Sequence, residues 1–203
     1  MAKPKTEFLV NQTIVYPSQG VGKVVDVFKR EFKGEMIYHY KIYIEVSDMT
    51  VTVPVDNAKL LGIRAIVSKA EAKKALDSIS EDYEPPTSDW KLRYQQNLDL
   101  LKKGTIGDIA AIVRCLYHRS KVKELPILER KLYENAKTLL ENEIAEAYGI
   151  SATEVETMLH AKLEPLGLKI EKKPVYNDED EDEDEFEEDT SSSSKDNDDD
   201  DED

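Results

Sequence analysis

Met49-Thr50-Val51-Thr52-Val53-Pro54-Val55 decides how the first third of this chain folds. Met49, Val51, Val53 and Val55 alternate with Thr50, Thr52 and Pro54, the two-residue period of a strand with one buried face. Pro54 has no amide proton for a ladder, so the strand ends there or lies on a sheet edge. Working outward, Ser47-Asp48 is a turn, and Met36 to Val46 carries Ile37, Tyr38, Tyr40, Ile42, Tyr43 and Ile44. Lys33-Gly34-Glu35 is a second turn, because Gly34 can take a positive φ without a side-chain clash. Val21 to Phe32 and Thr13-Ile14-Val15-Tyr16 are further β-prone runs, separated by Pro17-Ser18-Gln19-Gly20. Residues 8–55 therefore read as a strongly twisted antiparallel sheet or a small barrel.

From Ser68 the period changes to that of helices. Ser68 and Glu71 form a capping box ahead of Ala72-Lys73-Lys74-Ala75-Leu76. Pro85-Pro86 interrupts the chain. The next helix spans about Ser88 to Lys103 and stops at Gly104, and Thr105 with Asp108 caps another through Leu116. Pro126 suits the first turn of a long helix to Tyr148, terminated by Gly149. Ser151 and Glu154 open a last helix to about Leu163. Four helices after the Pro-Pro break form a small bundle, with short connections favouring sequence neighbours. The fold class is α+β multidomain. The domains are a β domain at 1–66, a helix and Pro-Pro linker at 67–86, a helical domain at 87–165 and an acidic tail at 174–203.

Charge separates the tail from the body. Of 203 residues with a net charge of −15, residues 177–203 hold 18 acidic side chains and one Lys, a net of −17. Residues 1–176 are left at +2, and within them residues 87–140 carry 11 basic and 6 acidic side chains, a net of +5. The tail buries almost nothing and repels itself, so it is expected to be disordered. The basic helical segment is compatible with nucleic-acid contact, and the tail either folds back on it in competition with such a partner or serves as a solubility tail. Cys115 is the only cysteine, which excludes an intrachain disulfide and a cysteine metal site. No secretory signal or membrane span is evident, so a cytoplasmic protein is expected; a monomer is a separate expectation.

Motifs for chemistry are few. Gly20-Val21-Gly22-Lys23 has Pro17 and Val24 where a phosphate-binding loop needs Gly and Ser or Thr, and it lies in a strand. His39, His118 and His160 share no ligand spacing, so no metal or other cofactor is expected. Glu141 and Glu143 read as solvent-facing helix residues. No nucleophile motif appears. Trp90, the only tryptophan, opens the polar, basic helix Trp90-Lys91-Leu92-Arg93-Tyr94-Gln95-Gln96-Asn97. It is either an exposed wedge for nucleic acid or the end of a core stripe continued by Tyr94, Leu98 and Leu101; periodicity alone favours the stripe.

An ordered set of residues resembles the CarD family of bacterial RNA polymerase-binding transcription regulators. It comprises Val15-Tyr16-Pro17 with Gly20, Lys33-Gly34-Glu35, Asp48-Met49-Thr50-Val51 with Val53-Pro54, and Asn57-Ala58 with Gly62-Ile63-Arg64. It continues through Trp90 with Arg93-Tyr94, Leu98, Leu101, Gly104, Val113-Arg114, Leu116, Glu129, Lys131, Ala136 and Leu140. The resemblance covers roughly residues 8–163. The β part is also similar to the polymerase-interaction domain of the transcription-repair coupling factor.

The resemblance implies a Tudor-like N-terminal β-barrel that docks on the RNA polymerase β subunit. It also implies a helical domain that touches promoter DNA at the upstream edge of the transcription bubble. Trp90 occupies the position of the family's minor-groove wedge, which reverses the preference for the stripe. Arg93, one turn from Trp90, is a candidate phosphate contact, with Arg119, Lys121, Arg130 and Lys131 as further ones. By the family pattern Arg30 and Phe32 are polymerase-interface candidates. Thr52 falls where some members carry arginine, and Gln95 replaces a basic residue. The competing readings are a protein-protein adaptor with purely structural helices and, with little support, an enzyme whose residues are scattered.

Overall fold

The computed structural model describes residues 6–17, 19–32, 34–81 and 86–164; the side chain of Phe32 and the acidic segment 174–203 lie outside the described residues. The β part contains β1 (Thr13–Tyr16), β2 (Gly20–Phe32), β3 (Glu35–Ile44), β4 (Met49–Pro54) and β5 (Arg64–Ala65), with the short helix α1 (Val55–Ala58) between β4 and β5. The strands form one antiparallel sheet in the order β4-β3-β2-β1-β5. Turn residues accept the positive φ their positions require, 83° at Gly34 and 49° at Asp48. Register slips between Val24 and Asp26, a bulge that leaves Val25 without a cross-strand partner on β3 and tightens the local twist.

Alternation sorts the side chains. Tyr40, Ile42 and Ile44 of β3 face inward with Ile14, Val24 and Val53, and Phe8, Ala58 and Ile63 complete this core. The Phe8 amide donates to the Tyr40 hydroxyl at 3.1 Å, which satisfies a phenol inside an apolar cluster.

Of the two readings, a twisted sheet or a small barrel, the structure has the open sheet, and the barrel that the resemblance implied is not closed. β5 has only two residues and pairs with β1, and Pro54 at the end of β4 has no N–H to extend a ladder. The chain turns from Pro54 straight into α1, so Val55 is helical although its alternation placed it in the strand. Pro54 does lie on an edge strand, as its chemistry demanded.

The helices are α2 (Lys69–Ile79), α3 (Trp90–Lys103), α4 (Ile106–Val122), α5 (Ile127–Tyr148) and α6 (Ala152–Leu163). Ser68 and Ser151 form reciprocal capping boxes with Glu71 and Glu154, and Thr105 accepts from the Asp108 amide. Gly104 and Gly149 end α3 and α5 in the left-handed region. α4 runs six residues beyond Leu116, and Pro126 is the cap of α5 rather than part of its first turn. Ala72, Ala75, Leu76 and Ile79 share one core with Ile112, Leu116, Leu140, Ile144 and Leu159. So α2 packs into the same core as the later helices. Among the described residues, no helix is long and apolar enough to cross a membrane.

Candidate nucleic-acid interface

The site begins at the first turn of α3. Asp89 caps the helix by accepting from the amides of Lys91 and Leu92, at 2.9 and 3.2 Å. Trp90, the first helical residue, is half-buried. Of its stripe neighbours, Tyr94 and Leu98, also half-buried, pack against the helical core, and Leu101 is part of it. Among the described residues, Trp90 is not one of the side chains packed on that core. The Lys91 ammonium lies 6.0 Å from the Trp90 ring centroid, at the outer reach of a cation–π contact.

Arg93 does not face outward, and its assignment as a phosphate contact is corrected. It is 1 % exposed. Its Nε and Nη2 donate to the two carboxylate oxygens of Glu129 at 2.8 and 2.7 Å. Its Nη1 donates to the Thr87 carbonyl at 2.7 Å and to the Ser88 carbonyl at 3.3 Å. A guanidinium so placed has its fork committed inside the protein. The buried ridge of α3 is Arg93, Asn97 and Leu101, two of them polar. An apolar period is blind to such a ridge, so the sequence pointed instead to its half-buried shoulder, Trp90-Tyr94-Leu98.

Topology puts the remaining cations at the end of the bundle where α3 begins. The Arg93–Glu129 pair brings the start of α5 against the start of α3. Residues 123–126 join the end of α4 to the start of α5. Arg119, Lys121, Arg130 and Lys131 therefore share one end of the bundle with Trp90. Arg119 is half-buried, while Lys121, Arg130 and Lys131 are exposed. Two of them already hold carboxylates: Lys121 pairs with Glu164 at 2.8 Å and Arg130 with Glu124 at 2.6 Å. The hydrogen bond to Glu164, with a second contribution from Tyr117, raises the Lys121 ammonium above its ordinary range. Val122 and Ile127, 67 % and 69 % exposed, add apolar surface to the same end.

The other end of α3 meets the sheet. Arg64 of β5 donates to both carboxylate oxygens of Glu143, at 2.5 and 2.8 Å, and to the Gly104 carbonyl at 2.8 Å. Glu143 is 3 % exposed, which corrects its reading as solvent-facing. Glu141 is half-buried beside Lys137, and burial raises its carboxyl above the usual range. Pro17 packs against two glycines at positive φ. A Cβ on Gly62 would stand 3.0 Å from the ring, and one on Gly104 would stand 3.1 Å from it. Pro17, Gly62, Arg64 and Gly104 were separate landmarks in the sequence, and here they form one joint.

On the β part, Arg30 is exposed near the β2–β3 turn, opposite Ile37. Thr52 is exposed on edge strand β4, opposite Lys41. Phe32 pairs with Glu35 through its backbone, and its side chain lies outside the described residues.

Two family models match this chain. The CarD-like/TRCF RID domain covers residues 8–67, and the CarD C-terminal domain covers residues 74–160. Their border falls between β5 and the middle of α2. A relative from Bacillus subtilis (strain 168), described as "Putative transcription factor YdeB", is 29 % identical over 150 residues, spanning 74 % of this chain and 98 % of the relative. With one model matching the sheet, the other the bundle, and the relative aligned across both, the chain belongs to the CarD-like family.

Proposed function

We propose that this protein is a transcription factor that docks on the RNA polymerase β subunit through its β part. There it favours the opened promoter by setting Trp90 in the minor groove at the upstream edge of the bubble. The observation that carries this reading is the placement of Trp90. It is half-buried at a helix start beside Lys91, while Tyr94 and Leu98 of its stripe pack against the core and Leu101 is part of it.

The energetics are suited to such a role. An apolar wedge between base steps offsets part of an unstacking cost on the order of a few kcal/mol. On a polymerase that already distorts the DNA, preferential stabilisation by about 1.4 kcal/mol shifts the open–closed balance tenfold. Lys131 and Arg119 are the phosphate contacts of first choice. Lys121 and Arg130 would exchange Glu164 and Glu124 for phosphate, which lowers their net contribution. Edge strand β4, with Thr52, offers main-chain groups for strand addition to the polymerase, and Arg30 offers a charge contact.

The test is the lifetime of promoter open complexes with wild-type protein and with Trp90→Ala. The variant is expected to bind polymerase normally and to shorten the lifetime about tenfold. An unchanged lifetime with an intact fold would reject the wedge and favour an adaptor whose helices are structural. Failure to retain core polymerase on immobilised protein would reject the docking.

A further inference from the structure

The geometry points to Arg93 and Glu129 as a positioning pair that sets the direction and exposure of the Trp90 ring. This rests on the reading of Trp90 as the DNA-facing wedge and names the device that presents it.

The pair is sealed from water, with side-chain exposures of 2 % and 0 %. Stability alone is a poor reason for it. Buried ion pairs replaced by apolar groups of similar volume often leave a fold equally or more stable. What an apolar pair cannot do is hold backbone. Arg93 Nη1 reaches the carbonyls of Thr87 and Ser88, three and two residues before Trp90. Arg93 itself stands three residues after Trp90, on the same first turn. One guanidinium thus ties the chain entering Trp90 to the helix leaving it. The plane of that guanidinium is fixed by Glu129, which belongs to a different helix.

The Asp89 cap works on the same turn, closing the amides of Lys91 and Leu92. Trp90 lies between these restraints, and its ring is not seated on the helical core among the described residues. Its orientation is therefore coupled to the backbone that these bonds hold. A wedge that is already oriented loses less freedom on entering DNA, so preorganisation appears directly as open-complex lifetime. A lysine at 93 could supply the charge but not the planar fork that serves a carboxylate on one side and carbonyls on the other.

The experiment uses the full chain with Arg93→Met and Glu129→Leu together, which removes both charges and leaves neither stranded. Trp90 is the only tryptophan, so emission excited at the red edge, beyond the absorption of the ten tyrosines, reads that ring in the isolated protein. The expected result is unchanged circular dichroism and polymerase binding, a red-shifted emission and stronger acrylamide quenching. Open complexes should be shorter-lived by about tenfold, as with Trp90→Ala. Adding Trp90→Ala to the double variant should shorten the lifetime no further, because residues acting as one unit are not additive. Arg93→Lys should fall between wild type and the double variant in quenching.

Quenching and lifetime both unchanged in the double variant, while Trp90→Ala alone shortens the lifetime, overturns the positioning role and leaves the wedge standing. The converse, altered quenching with no effect of Trp90→Ala on lifetime, keeps the positioning of the ring and rejects the wedge. If the double variant does not fold, Arg93→Lys carries the same measurement, and wild-type quenching there overturns the inference.

Discussion

Arg93–Glu129 and Arg64–Glu143 hold the two ends of α3 with the same chemistry, a guanidinium fork on a carboxylate, yet they sit in different surroundings. The first lies inside the helical bundle, with side-chain exposures of 2 % and 0 %; the second lies where the sheet meets the helices, at 27 % and 4 %. Burial decides what each can tolerate. Inside the bundle a lost partner leaves a charge that water cannot reach. At the joint, Arg64 can recover part of its solvation from one open side. Both arginines also bind main-chain carbonyls next to the helix, Thr87 and Ser88 at its start and Gly104 at its end. Together they fix the helix that carries Trp90 against the β part that precedes it.

The comparison is broken most directly by single truncations. Arg93→Ala strands Glu129 and should cost about 3–5 kcal/mol in urea unfolding, whereas Arg93→Met with Glu129→Leu should stay near wild type. Equal losses in the two would mean that the fold itself needs the charges. Glu143→Ala should cost less, about 1–3 kcal/mol, since Arg64 keeps the Gly104 carbonyl and access to water. A loss as large as that of Arg93→Ala would show that the joint is as dry as the bundle.

Gly104→Ala sharpens the same end without touching a charge. It places a Cβ at φ 67° and 3.1 Å from the Pro17 ring, and should cost about 1–2 kcal/mol from the backbone conformation. Its thermal midpoint should fall while Glu143 remains paired. The smallest effect belongs to a surface network, Asp77 between Lys73 and Lys162. Those two ammonium groups lower the Asp77 carboxyl from 3.8 to about 2. A depressed acid contributes stability above its ordinary value and loses it as pH falls through the folded one. Urea midpoints of wild type and Asp77→Asn should therefore differ near neutrality and converge by about pH 2.

Much of the architecture was legible along the chain. The Ser68 and Ser151 capping boxes, Thr105, and the terminating glycines at 104 and 149 mark helix ends through chemistry that acts within four residues. Alternation in β4 likewise reports its inward side at Val51 and Val53, although Met49 at its start is exposed. Three things were not legible. Sheet closure depends on whether β4 and β5 find each other, and a two-residue strand beside a proline gives no local sign of that. Membership of α2 in the bundle depends on which core its Ala72 and Leu76 join. The inward direction of Arg93 depends on a glutamate 36 residues away.

By itself, then, the order of residues determined the change from two-residue to helical period, most helix boundaries, the tryptophan at a helix start and the family landmarks. All of these are local patterns or their succession. Tertiary structure alone decided which charges face water. Glu129, Glu143 and Arg93 are ordinary surface residues in composition, and they are buried because each finds a partner that only folding brings within hydrogen-bond reach. The physical reason is that desolvating a charge is tolerable only when its partner is already in place, and no stretch of sequence contains both halves of these pairs.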